Sequence, residues 1–266
     1  MRTWLPISLT VVGLMAVTWG IFAQTTTASD AAADGFYVAN SVITDGAKSP
    51  KAQSLTVFAG DRVYDFSIAG SRVVIFDAES GQVMLLDKQR KLKTEIGTAD
   101  LEAAREELRV WCEKRADPIA RFIANPRFKV EKLEGQVAFL ADAMEYHVDT
   151  QKSEQAKAAE NYRDFSDAMI GLAVVSQSSP IPPLARLAVN NELAQLDVLP
   201  ASVSFKVKPR AAGERSLHFR THHAVGWQLR PEDKQLVRDA RGYEEKFREV
   251  HLNEFFGRRE AALGAR

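Results

Sequence analysis

After residue 35 the chain breaks into short apolar and β-branched runs separated by turn pairs. Residues 36–43 form the first run. Residues 54–58 and 62–68 flank Gly60-Asp61. Residues 72–77 and 82–87 flank Ala78-Glu79-Ser80-Gly81, where Ser80-Gly81 closes a hairpin, and residues 91–96 end the series. Short β-rich runs with turn signals at this spacing predict an antiparallel meander. Val73-Val74-Ile75-Phe76 and Val83-Met84-Leu85-Leu86 are apolar on both faces, so these two strands are expected to be covered on both sides.

The period then lengthens. Leu101, Leu108, Trp111, Cys112, Ile119 and Phe122 recur at helical spacing behind an expected N-cap at Thr98, with Pro118 bending or splitting the helix. Strands resume at 128–133, 136–140 and 144–149. In the last of these Met144, Tyr146 and Val148 alternate with Glu145, His147 and Asp149. Ser153 is read as the cap of a long helix striped by Ala159, Tyr162, Phe165, Met169 and Leu172. Ser178-Ser179-Pro180-Ile181-Pro182-Pro183 breaks that helix, and a third runs over 184–196. Strands at 203–207 and 217–227 follow, and Pro231 starts a final helix striped by Leu236, Ala240, Tyr243 and Phe247. The total is ten or eleven strands and four helices. Strand blocks are separated by helix blocks, which predicts an α+β fold with a largely antiparallel sheet.

The beginning of the chain carries a different pattern. Arg2 is its first charge, and an apolar run covers residues 5–21. A positive end, an apolar middle and a small residue after it mark a secretory signal. Cleavage is expected after Ala23, with Ala28 as the second choice. An uncleaved anchor is the alternative, although the run is short of the ~20 residues a spanning helix needs. The expected organisation is a signal over 1–23, a flexible leader over 24–34, a single domain over 35–256 and a tail over 257–266. The mature protein is then periplasmic or extracellular, with no stable membrane span.

Composition adds little to this. Without residues 1–23 and Arg2, 34 basic side chains face 35 acidic ones, so bulk charge favours neither nucleic acid nor an anionic membrane surface. Cys112 is the only cysteine; it reads as a buried thiol, with an intermolecular disulfide as the alternative.

Candidate chemistry is sparse. The sequence holds no nucleophile elbow, Walker loop, Cys-x-x-Cys or His-Glu-x-x-His, and it points away from an enzyme, a metal site or a cofactor. His218 and His222 share a strand face, but Arg220 between them opposes a cation there. His223 faces the apolar side and reads as a hydrogen-bonded core histidine. Lys88-Gln89-Arg90-Lys91 with Lys93 is a basic run at a hairpin, read as a solvated turn. Asp77 and Asp87 end apolar strands and read as turn formers. Phe122, Tyr162, Phe165, Met169 and Phe247 either line a ligand cavity or pack a core; the spacing alone fits both.

The segment "LTVFAGDRVYDFSIAGSRVVIFDAESGQVMLLDKQRKLKTEI", residues 55–96, followed by helix, hairpins, helical hairpin and final strands, resembles the bacterial lipoprotein-carrier (LolA/LppX-like) half barrel. It is also similar to exported bacterial proteins with this style of segment, a likeness that implies a fold without an activity. The carrier resemblance implies a strongly curved sheet around an apolar cavity, helices closing its mouth and an acyl chain inside. On that resemblance the expected function is a non-enzymatic envelope protein binding a lipid or acyl chain, with the Pro-rich hinge making a lid of the flanking helices. A structural or protein-interaction module with a filled core is the alternative, and an enzyme of unknown type the third choice. The ligand-binding residues themselves are not legible.

Overall fold

The computed structural model describes residues 35–44, 49–177, 183–208 and 216–257. The chain divides into units Met1–Ala31 and Ala32–Arg266, and the second holds every described residue. The expected signal and leader, residues 178–182 of the expected hinge and 258–266 of the expected tail lie outside the described residues.

The first block is the meander β1 (Phe36–Thr44), β2 (Ala52–Ala59), β3 (Arg62–Ser67), β4 (Arg72–Asp77), β5 (Gln82–Asp87) and β6 (Leu92–Gly97). Helices α1 (Thr98–Glu113) and α2 (Pro118–Ala124) come next, then β7 (Lys129–Leu133), β8 (Gln136–Leu140) and β9 (Met144–Lys152). Helices α3 (Ala158–Ser176) and α4 (Ala185–Gln195) precede β10 (Val198–Val207) and β11 (Leu217–Gly226). The chain ends in α5 (Pro231–Lys246), β12 (Arg248–Glu249) and α6 (Leu252–Phe255).

All twelve strands join one open sheet in the order β12-β6-β5-β4-β3-β2-β1-β11-β10-β9-β8-β7. The seam between the two meanders is β1 against β11, with Asn40 opposite His223 and Val42 opposite Thr221. Every described pairing is antiparallel except β12 on β6. The mixed architecture of a large, mainly antiparallel sheet with helices is thus present, with more elements than the pattern predicts: twelve strands and six helices among the described residues. The extra strand β12 and helix α6 are too short to carry a period. They are held by tertiary contacts, such as Arg248 N–H to Lys91 O at 3.0 Å.

Local chemistry explains the other departures. Pro118 has no N–H to donate, so it splits the predicted helix and starts α2, where Asp117 Oδ1 accepts from Ile119 N–H at 2.9 Å. Thr98 is the first residue of α1 and Gly97 its cap. Ser153 does not cap α3. Its hydroxyl donates to Gln155 O at 2.6 Å, and Lys157, in the left-handed region at φ 61°, delays the helix to Ala158. Trp111 lies half exposed rather than in the core, covered by the Arg115 guanidinium 3.9 Å above its ring.

The two halves of the sheet are covered differently. In the β2–β5 half, Val73, Ile75 and Leu86 face one side and bury against Val237 and Ala240 of α5. Phe76, Val83 and Leu85 face the other side and bury against α1 and α3. The doubly apolar strands are therefore covered on both faces, as their composition requires. Among the described residues the β7–β11 half is covered on one face only. There Val137, Phe139, Met144, Tyr146 and Val203 pack beneath α1, α2 and α4, while Glu145, His147 and Asp149 alternate onto the other. Helices α1 and α3 cross at Gly171, where a Cβ would meet that of Leu101 at 2.7 Å. The missing side chain sets the approach of the two helices.

Candidate functional site: a polar seam between two apolar cores

The helix-covered face holds two separate apolar clusters. One centres on Phe36, Phe58, Val63, Phe76 and Phe165, the other on Phe139, Tyr146, Val189 and Val203. Between them runs the helix-facing strip of β1 and β11, with Asn40, Val42, Phe219, Thr221 and His223 all only partly buried. At the centre of so large a sheet, a covered strip that is not sealed is the distinctive feature of the fold.

A directed chain of hydrogen bonds crosses this strip. Asn40 Nδ2 donates to Thr56 Oγ1 at 2.8 Å and to Ser54 Oγ at 3.2 Å. The Thr56 hydroxyl donates to Asp65 Oδ1 at 2.6 Å. His223 Nδ1 lies 2.8 Å from Asn40 Oδ1, which can only accept, so Nδ1 carries the proton. Thr221 Oγ1, 2.8 Å from Nε2, then donates to the remaining ring nitrogen. The polarity runs from Thr221 through His223, Asn40 and Thr56 to Asp65.

The electrostatics agree with that direction. Burial drives the His223 pKa down to about 3, aided by the charge of Arg186 and by His222, so the ring is neutral at physiological pH. Burial pushes the Asp65 carboxyl up, against the opposing hydrogen bonds from Thr56 and Ser54. No cation pairs with Asp65 among the described residues. Burial also raises Tyr162, whose ring meets His223 edge-on with centroids 6.3 Å apart. Aromatic side chains wall the cluster: Phe36 stacks on Phe58 at 4.2 Å, and Phe58 lies 6.3 Å from Tyr162. An apolar enclosure with a few converging polar groups is the usual make-up of a small-molecule site.

The sequence-derived candidates distribute as follows. His223 is the hydrogen-bonded inner histidine expected from its position. His218 and His222 lie on the opposite face with Arg220 between them, and His218 Nε2 is 2.8 Å from Ser204 Oγ. Among the described residues no cluster of three or more His, Cys, Asp or Glu is placed to hold a metal. Asp77 Oδ1 accepts from Ser80 N–H, and Asp87 Oδ1 from Gln89 and Arg90 N–H, each closing a turn. The basic run is partly tied down: Arg90 pairs with Asp87 at 2.7 Å, and Lys93 Nζ donates to Glu244 O at 2.9 Å. Cys112 is fully buried in the second cluster, and burial raises its thiol pKa. The aromatic stripe does not line one space. Tyr162, Phe165 and Met169 belong to the first cluster, Phe122 to the second, and Phe247 packs on the far side of the sheet with α5.

Asn40, Thr56, Asp65, Thr221 and Arg186 escape the sequence reading. The available signal was a polar residue on the face that neighbouring strand positions keep apolar, as with Asn40 between Val38 and Val42. A separate cleft of about 580 Å³ lies among α1, α2, α3 and α4, lined by Ile123, Leu184, Leu187, Arg105 and Asp167.

No family profile and no curated protein matches the chain. Among solved structures, one of PNGF-II is similar at a TM-score of 0.38 and 10% identity, over 84% of this chain. The chain spans 32% of that structure's length.

Proposed function

We propose that this is a non-enzymatic binding protein of the cell envelope that shelters a lipid or acyl chain between the sheet and its helices. The sheet acts as a curved half barrel, and α3 and α4 act as its cover. The observation that carries the reading is the unsealed strip on β1 and β11 between two closed cores. Its apolar members, Val42 and Phe219, suit a hydrocarbon chain, and its few polar members suit the end of one. Export of the mature chain, expected from residues 1–23, would place it where lipids must cross water.

The test is displacement of a naphthylamine-type apolar fluorescent probe. The refolded, delipidated protein should bind the probe and release it to a long-chain lipid. Thr221→Trp, which puts a large ring into the strip, should abolish binding while circular dichroism stays unchanged. A protein that never binds the probe would instead have a filled core, as an interaction module does.

A further inference from the structure

The cleft of about 580 Å³ among α1, α2, α3 and α4 shares no lining residue with the seam, and its floor and rim differ in chemistry. The floor is apolar. Ile123, Ala124 and Leu184 are buried members of the second core, and Leu187 of α4 is partly buried beside them. The rim is the charged face of α1, where Glu102, Arg105, Glu106 and Arg109 recur at helical spacing. Part of that rim is satisfied internally: Arg109 donates to Glu106 at 2.6 and 2.7 Å and also to Glu113.

Two charges lining the cleft are left over. Arg105 is largely covered, with 18% of its side chain exposed. Its Nη1 donates to the main-chain oxygen of Asp167 at 3.0 Å. The carboxylate of exposed Glu102 stands 3.7 Å from Nη2, beyond a hydrogen bond. Asp167 Oδ1 accepts from Asn190 Nδ2 at 2.7 Å, and Asn190 is buried and also bonded to Ser166 and Arg186. That relay fixes the carboxylate. Asp167 makes no ion pair, and its Oδ2 meets no donor, among the described residues. Nor is Oδ2 sealed away, since Gln151 Nε2 is the one buried side-chain atom without a partner among those residues. Burial raises the Asp167 carboxyl pKa, against the hydrogen bond from Asn190 and the charge of Arg105. Arg105 and Asp167 thus line one space, joined through a main-chain oxygen while their charged groups stay unpaired with each other.

A guanidinium and a carboxylate held side by side in partly dry surroundings, and not paired, suit a ligand that brings both complementary charges. Both act at one residue of α3, so the ligand's own cation and anion must be adjacent. The floor beyond them suits an apolar group. The volume falls within the roughly 300–1,000 Å³ usual for small-molecule sites. An α-amino acid meets these demands, because its ammonium, its carboxylate and its side chain share one carbon. We propose that this cleft is a second binding site, for a free α-amino acid with an apolar side chain. Arg105 receives its carboxylate, Asp167 its ammonium, and Ile123, Leu184 and Leu187 its side chain. The site is independent of the acyl-chain function proposed above.

The experiment is isothermal titration calorimetry with leucine, phenylalanine, glycine, isocaproate and isoamylamine. Isocaproate is leucine without its ammonium, and isoamylamine is leucine without its carboxylate. Leucine or phenylalanine should give saturable heat. Glycine, with no side chain to bury, and both leucine analogues, each lacking a charge-assisted hydrogen bond, should bind at least about tenfold more weakly. Asp167→Asn keeps an oxygen to accept from Asn190, and it should remove the preference for leucine over isocaproate. Arg105→Gln should remove the preference for leucine over isoamylamine, and Arg105→Lys should keep part of it. Ala188→Trp, which puts a large ring into the cleft wall, should abolish binding while circular dichroism stays unchanged. Should Asp167→Asn fail to fold, Arg105→Gln and Ala188→Trp carry the test. No saturable heat from either leucine or phenylalanine overturns the site. Equal affinity for leucine and any one of glycine, isocaproate and isoamylamine does so too, as does leucine binding that survives Arg105→Gln or Ala188→Trp unchanged. None of these results bears on the displacement of the apolar probe.

Discussion

Asp65 and His223 belong to one hydrogen-bonded chain, and burial shifts their pKa values in opposite directions. The native His223 ring resists protonation, with a pKa of about 3 against an ordinary 6.5. The stability that goes with its neutral form is present above pH 6.5 and is lost as pH falls toward 3. Asp65 has the reverse sign. Its native pKa is raised above the ordinary 3.8, so its contribution is fully present below that value and lost as pH rises through the raised pKa. At pH 7 the buried Asp65 carboxyl is therefore a burden on the fold. Asp65→Asn keeps an oxygen to accept from Thr56 and removes the charge. Its Tm should exceed that of wild type at pH 7, and the two should converge below about pH 4. A lower Tm at pH 7 would mean that the charge of Asp65 is stabilising. This pair also marks the limit of residue-level reading. The alternation of β11 put His223 on the apolar side beside its local partner Thr221, but its other partner, Asn40, is 183 positions away, and the chain continues along the sheet to Thr56 and Asp65. Nothing local to residues 217–226 announces Asn40, Thr56 or Asp65.

At the scale of elements, the helix layer depends on close approach where α1 crosses α3. Gly171 has no side chain there, and an added methyl would meet Leu101 Cβ at 2.7 Å and Leu101 O at 3.3 Å. Backbone and Cβ atoms cannot swing aside as a flexible side-chain end does. Gly171→Ala should therefore force the helices apart and cost about 1–3 kcal/mol in chemical denaturation, the usual cost of overpacking. An unchanged or improved midpoint would show that the crossing has slack. Most elements were legible because their periods are strong. Val73 to Phe76 and Val83 to Leu86 announced two-sided burial, and Met144 to Asp149 announced one-sided burial. Boundaries were lost where a single backbone state decided them, as at Lys157. Trp111 was misplaced because an aromatic at helical spacing is apolar in pattern, whereas Arg115 covers it at the surface. The stripe of Phe122, Tyr162, Phe165, Met169 and Phe247 divided among three cores for a related reason. Period assigns a residue to a face of its own helix, and the side of the sheet that the helix takes is set by topology.

On the scale of the whole molecule, the sheet joins a half covered on both faces to a half that, among the described residues, is covered on one, and the seam lies near that join. On the α5 side of β2–β5 there is only a small pocket of about 120 Å³ among the described residues, lined by Arg62, Ile75, Met84 and Glu244. On the helix-covered face, α1 spans both clusters, yet α3 and α4 meet the sheet in two separate cores. A filled core and a ligand space call for the same apolar residues, so sequence alone could not separate them; the partly buried strip from Val42 to Thr221 is what favours a ligand space. The account stands or falls on whether that space is occupied. The most direct measurement is native mass spectrometry of the protein purified without detergent from its source cells. The account predicts an added mass in the range of a lipid or fatty acid, carried by the folded protein and lost on denaturation. Finding only the bare polypeptide mass, with no uptake after incubation with fatty acid, would contradict it.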